Sequence, residues 1–284
     1  IPVAGETVMG SDFMIIPGGK GANQAVSAAR VGASVTFIAC VSDDVFGKRS
    51  VENYRKEGID VSRIKIHPGI HSGIAQINVS EDGENSISVA PGANLYLLPA
   101  DIRACEEVFE NAKIVMAQLE VPVETVSAVA EIAYSKGIPF LLNPAPATVI
   151  PEDLFEKITI LTPNETEASI LTSKERVKKN DIPEMAEKLF SKGIKIVIVT
   201  MGKSGVYVKS DDFEGVIPGY RVPVVDTTAA GDVFNGVLAS ALAEGKALKE
   251  AIDFAQRAAA ISVTRMGAQP SAPKLEEIRQ YKFC

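Results

Sequence analysis

In the stretch "VDTTAAGDVFNGVL", residues 225–238, small residues and the acid Asp232 stand between the apolar run that ends at Asp226 and a helical pattern. "RVPVVD" (221–226) reads as a strand, and from Asp232 onward Phe234, Val237, Leu238, Ala241 and Leu242 recur at helical spacing. Thr227 to Gly231 must then turn from the carboxyl end of a strand into a helix N-terminus. The first amides of a helix lack intrahelical acceptors and sit at the positive end of its dipole, so such a turn takes an anion. Ala229, Ala230 and Gly231 are small enough to let a phosphate reach the backbone. A carboxylate there repels a resting phosphate, yet it can accept a hydroxyl's proton and aim that oxygen at phosphorus. Asp232 is therefore a candidate base, held ionised at neutral pH by the dipole; the alternative is an ordinary helix-start aspartate.

A second unusual stretch, "PGGKGANQAVSAARVGA" (17–33), has a glycine cluster running into a helix, which allows close approach of a ligand. It is not a dinucleotide fingerprint, because Gln24 stands where the third glycine belongs. "GKS" at 202–204 is not a P-loop either, since Val197 occupies the place of its first glycine. Phosphate handling falls to the Gly231 turn and to "TMGKSG" (200–205), a glycine loop at a strand end. Asn164, with Glu167 three residues later, reads as a helix-capping box, and Glu120 by itself merely ends a strand.

The elements that must position these groups are legible as an alternation. "VTFIAC" (35–40), "KIVMAQLE" (113–120), "IPFLLN" (138–143), "ITILTPN" (158–164) and "IKIVIVTMG" (194–202) read as buried strands. Between them "VPVETVSAVAEIAYSKG" (121–137) and "DIPEMAEKLFSKG" (181–193) have helical spacing and end in Lys-Gly. Such βαβ units predict an α/β fold, a doubly wound and mainly parallel sheet with helices on both faces. Residues 5–16 and 71–92 break the rhythm, and in the latter Asp82-Gly83 separates two alternating runs as in a hairpin. The expected organisation is an α/β domain over 17–70 and 93–284, with 1–16 and 71–92 forming a small β-sheet lid.

The 284 residues, 46% hydrophobic and 23% charged, suffice for one large core. A net charge of -7 gives no basic footprint for nucleic acid or an anionic membrane. No apolar run approaches the roughly 18 residues of a membrane span. Cys40, Cys105 and Cys284 form no CxxC pair, which suits a reducing cytoplasm.

Five motifs in order, "GGKGANQA" (18–25), "NPAPA" (143–147), "TPNETEA" (162–168), "DTTAAGDVFNG" (226–236) and "VTRMGAQPS" (263–271), make the whole chain resemble the ribokinases of the PfkB-type carbohydrate kinase family. The resemblance implies an ATP-dependent sugar kinase that phosphorylates the 5-hydroxyl of D-ribose by direct in-line transfer. Other kinases of the family acting on deoxyribose or a ketohexose, and a non-catalytic sugar sensor, remain the alternatives. By the same resemblance Asp232 is the base, and the Ala229, Ala230 and Gly231 amides form the anion hole. Gly19, Lys20, Gly21, Ala22, Asn23 and Glu120 contact the sugar. Asn164 with Thr200, Met201, Gly202, Lys203, Ser204 and Gly205 serves the nucleotide, as does Gln256, where relatives carry histidine or asparagine. Glu167 acts on magnesium through water. Asp226, Thr228, Ser262, Arg265, Gly267 and Ser271 match the ligands of a potassium ion. A homodimer joined through the lid is also implied. Ribokinases begin with a strand that carries an Asn-x-Asp sugar grip, so roughly 20–30 residues are expected before Ile1, from strand and loop dimensions. Failing that, Asp12 would do the gripping.

Overall fold

Apolar runs bounded by glycine and proline form the strands that the alternation requires. This computed structural model describes residues 5–10, 13–79, 85–174 and 179–283. In chain order the strands are β1 (Ala39–Ser42), β2 (Ile64–His67), β3 (Ile74–Val79), β4 (Asn85–Ala90), β5 (Val115–Ala117), β6 (Phe140–Leu142), β7 (Ile160–Leu161), β8 (Ile196–Thr200), β9 (Val206–Ser210) and β10 (Glu214–Ile217). The α-helices are α1 (Lys20–Arg30), α2 (Val45–Lys56), α3 (Pro99–Arg103), α4 (Val123–Ser135), α5 (Glu152–Phe155), α6 (Glu165–Thr172), α7 (Ile182–Phe190), α8 (Ala230–Ala243), α9 (Leu248–Ser262) and α10 (Leu275–Gln280).

Strands β5 to β8 pair in parallel, and β9 and β10 extend the sheet antiparallel, in the order β10-β9-β8-β7-β6-β5. Successive side chains of a strand point to opposite faces, and the packing follows that period. Phe140, Leu142, Leu161, Val197 and Val199 meet Val126, Ile132, Leu154, Met185 and Leu189 of α4, α5 and α7 on one face. Leu141, Ile160, Ile198 and Val208 meet Phe234, Val237, Leu238, Ile252 and Ile261 of α8 and α9 on the other. Helices on both faces explain why the β6 and β8 runs are apolar throughout. The parallel strands therefore share one carboxyl edge, where ligands of such sheets bind.

β1 and β2 form a separate parallel pair, and β3 and β4 a separate antiparallel hairpin with Ile74 opposite Ala90. Ile74, Ile77 and Val89 of the hairpin are exposed. Its first stem is tied to α2 by Asp44, the N-cap of that helix. Asp44 accepts from the Gly47 amide at 2.8 Å and from the Ser72 amide and hydroxyl at 2.8 and 2.7 Å. Burial alone would raise this carboxyl, but the donors from Gly47 and Ser72 prevail and lower it to about 2.

Three expectations need correction. "RVPVVD" is not a strand: Pro223 has no amide to donate, Val224 and Val225 face solvent, and the Val225 and Asp226 amides donate to Val263 O rather than to a ladder. The run at 35–40 forms its strand later, at Ala39–Ser42, with Thr36 making only an isolated bridge to Asp60. Among the described residues of 5–16 no strand forms, so the small sheet there is β3 and β4 alone. Asp82-Gly83, Asp12 and Cys284 lie outside the described residues. Among the described residues, no helix is long and apolar enough to cross a membrane.

Candidate active site

Helices α1 and α8 pack against each other. Small residues permit this, since a Cβ on Gly236 would collide with the Gln24 carbonyl oxygen. The contact brings the two sequence motifs together. Asp232, only 6% exposed, accepts from Asn23 Nδ2 through Oδ2 at 2.8 Å and from Gln24 Nε2 through Oδ1 at 3.1 Å. Burial pushes the Asp232 carboxyl up from its ordinary value, opposed by the charge of Lys20 and by the two amides. Burial, which spacing could not show, thus acts against the expected ionising pull of the helix N-terminus. Asn23 Oδ1 is buried and has no hydrogen-bond partner in the protein.

The turn before α8 has the geometry of an anion site. Ala229 is left-handed, with φ 60° and ψ 11°, and no side chain caps the helix. The Ala230 amide donates to Thr227 O and the Val233 amide to Ala229 O, while the Gly231 and Asp232 amides find no backbone acceptor among the described residues. Gly231 is exposed and stands next to the buried Asp232 carboxylate.

Glu120, beyond β5, accepts from the Lys20 amide at the start of α1, at 2.8 Å. Burial pushes its carboxyl up, against the Lys20 hydrogen bond and charge. Asn164 and Glu167 form the reciprocal capping box of α6, each bond 2.8 Å long. Glu167 is likewise raised by burial. Thr200 bridges Asn164 in parallel, and its amide donates to Pro163 O, so the glycine loop lies beside that box. Within the loop the Met201 amide donates to Gly205 O. Gly205 has φ 93° and a Cβ there would strike the Ile217 carbonyl oxygen, so glycine is required. Gln256, on α9, is buried with neither amide atom partnered.

Asp226 closes a second loop. It accepts from the Thr228 amide at 2.9 Å and from the Gly267 amide at 2.8 Å. Burial alone would raise its carboxyl, but the Thr228 hydroxyl and amide and the Gly267 amide prevail and lower it. The Ser262 and Ser271 hydroxyls are buried and donate to Ala259 O and Ala268 O. The Arg265 side chain turns away to Glu277, leaving its backbone as the only part suited to a cation.

Three amides escaped sequence reasoning. Gln24 is fully buried and donates to both Asp232 and Asn143, each at 3.1 Å, while Gln118 donates to Gln24 Oε1. A second amide one place after Asn23, within the small-residue stretch between Gly21 and Ala29, was the available signal.

Residues 1–275 match the pattern of the pfkB family carbohydrate kinases. The chain is similar to a ribokinase of Haemophilus influenzae, 43% identical over 277 residues that cover 98% of this chain and 90% of that protein. It is 42% identical to a ribokinase of Bacillus subtilis, with 98% and 92% covered. A solved ribokinase of Arabidopsis thaliana, in complex with ribose and ATP, matches with a TM-score of 0.90 at 32% identity, over 99% of this chain and 93% of that one.

Proposed function

The chain belongs to the pfkB family of carbohydrate kinases, and on that premise we propose that it transfers the γ-phosphoryl group of ATP to the 5-hydroxyl of D-ribose. The observation that carries the chemistry is a buried Asp232 carboxylate held by Asn23 and Gln24 beside the open amides of the Gly231 turn. Asp232 takes the proton of the 5-hydroxyl as its oxygen bonds to phosphorus. The bond from the γ-phosphorus to the β-phosphate bridging oxygen breaks, and ADP leaves with the electron pair. Charge on the transferring oxygens is met by the Ala229 and Gly231 amides, joined by the Ala230 amide once it leaves its long 3.3 Å bond to Thr227 O. Asn23 Oδ1, buried without a protein partner, suits a sugar hydroxyl donor, and Gly19, Lys20, Gly21, Ala22 and Glu120 complete that wall. Asn164 and the loop Thr200 to Gly205 face the nucleotide phosphates, with Gln256 toward the base.

Among the described residues no group of three His, Cys, Asp or Glu side chains is arranged to hold a metal. Magnesium, which retains waters readily, would then ride on the ATP phosphates with Glu167 acting through water. Asp226 and the backbone that it ties to Gly267 form a hard-oxygen set that fits a potassium ion, with Thr228, Ser262, Arg265 and Ser271 supplying the remainder. Such an ion supplies positive charge beside the turn and fixes its shape. The exposed Ile74, Ile77 and Val89 on a two-stranded hairpin support a lid that pairs with a second copy in a homodimer. The free Cys40 and Cys105, with the need for ATP, support work in the cytoplasm.

A coupled assay of ADP release, run with ribose, deoxyribose, fructose and no sugar, tests the reading. Ribose is expected to give the highest kcat/KM and a 5-phosphate product. ADP release independent of any sugar would overturn it.

A further inference from the structure

Three polar side chains, Asn143, Gln24 and Gln118, join three strand ends to the candidate base in one hydrogen-bonded series. Asn143 Nδ2 donates to Thr162 O at 3.0 Å, Asn143 Oδ1 accepts from Gln24 Nε2, and Gln24 Oε1 accepts from Gln118 Nε2. A carbonyl oxygen can only accept, so Thr162 fixes which end of Asn143 points at it. The other end of Asn143 is then an acceptor, which obliges Gln24 to present its NH₂ group. That group carries two hydrogens, one for Asn143 and one for Asp232 Oδ1. Gln118 completes the order from the far side by offering a donor to Gln24 Oε1. Gly21 makes room for this arrangement, because a Cβ there would lie 2.8 Å from Gln118 Oε1.

We propose that Gln24 is a positioning residue whose donor is aimed at Asp232 by the Thr162, Asn143 and Gln118 series, so that the base keeps its charged form and its orientation before substrate arrives. Both carboxylate oxygens of Asp232 face N–H donors, which leaves a neutral acid badly matched and keeps a lone pair for the hydroxyl. Desolvation opposes ionisation at this site, and the series works against it. The charged groups that bear on Asp232 are Lys20 of α1, which favours ionisation, and Glu120 and Glu167, which oppose it. The inference rests on Asp232 being the base.

The test is the pH profile of kcat and kcat/KM for Gln24→Met, Gln118→Leu and Asp232→Asn, with the KM for ribose and ATP measured alongside. Gln24→Met removes one charge-assisted donor, so kcat at the acid end is expected to fall about tenfold to a hundredfold. The loss narrows as pH rises, with the KM values nearly unchanged. Gln118→Leu frees the Gln24 amide to present either end, and its effect has the same sign but is smaller. Gln118 is only half-buried, so that variant tests the series even if Gln24→Met folds poorly. An equal loss at every pH, or an unchanged profile for Gln118→Leu, overturns the positioning role while an inactive Asp232→Asn leaves the base in place. Full activity in Asp232→Asn removes the base and this inference together.

Discussion

The surroundings of Asp232 and the groups proposed to face the nucleotide are built on opposite plans. Around Asp232 the protein supplies its own partners: Asn23, Gln24, Asn143 and Gln118 are joined through strand ends and helices, with Asn23 Oδ1 a buried exception. On the proposed nucleotide side the buried Gln256 amide has no partner, and among the described residues the Gly231 and Asp232 amides have no backbone acceptor. Orientation is settled in advance where a proton moves, and polar capacity is left open where a ligand enters and leaves.

The largest expected effect breaks the paired side. Asp232→Asn should lower kcat by about 10² to 10⁴ with little change in the KM for ATP, because the nucleotide does not need the base. Steady-state kinetics at saturating ribose checks this. Exchanging potassium for sodium leaves both sides intact and loosens the turn between them, so kcat should fall while the far-UV circular dichroism stays constant. On the open side, Gly205→Ala forces a side chain into a positive-φ position against the Ile217 carbonyl. Backbone strain of about 1–3 kcal/mol should lower Tm and raise the KM for ATP without moving the pH profile of kcat. Gln256→Leu sharpens the contrast, since removing an unpaired buried amide relieves a penalty of about 1–3 kcal/mol. Thermal melts should show a higher Tm without ligand, and kinetics a higher KM for ATP.

The smallest effect belongs to the lid stem. The Asp44 carboxyl is lowered in the folded chain to about 2, so its contribution is present above the ordinary carboxylate value of 3.8 and is lost as pH falls from there toward 2. Hydrogen exchange around Ser72 should accelerate in that window, and Asp44→Asn should abolish the pH dependence.

The turn into α8 was legible because its signals are local: small residues, a helix start and an acid within a few positions. The central strands were legible for a related reason, since runs buried on both faces, such as "FLL" at 140–142, stay apolar throughout. "RVPVVD" carries valines too yet forms no strand, because Pro223 has no amide to donate and the Val225 and Asp226 amides go to Val263 O instead of to a neighbouring strand. Gln24 failed for the converse reason. In sequence it is the residue where a glycine fingerprint ends, and its meaning comes from Asn143 and Gln118, about a hundred residues away in the chain. Segment 5–16 carries Val8, Phe13 and Ile15 in a strand-like pattern, but these side chains are exposed and the segment joins no ladder among the described residues.

Ala229 has a further consequence when its left-handed φ of 60° is considered as a population. An L-residue other than glycine gives up about 1–2 kcal/mol in that region, so an isolated Thr227–Gly231 peptide would adopt the turn about a fifth to a thirtieth as often as one with glycine there. The turn is therefore occupied because its surroundings select it: Val263 O binds the Val225 and Asp226 amides, and Asp226 holds Thr228 and Gly267. Order in the 263–267 loop and order in the Thr227–Gly231 turn are then a single equilibrium. Anything that steadies the loop raises the fraction of molecules with the turn formed, and alanine rather than glycine makes that dependence steep.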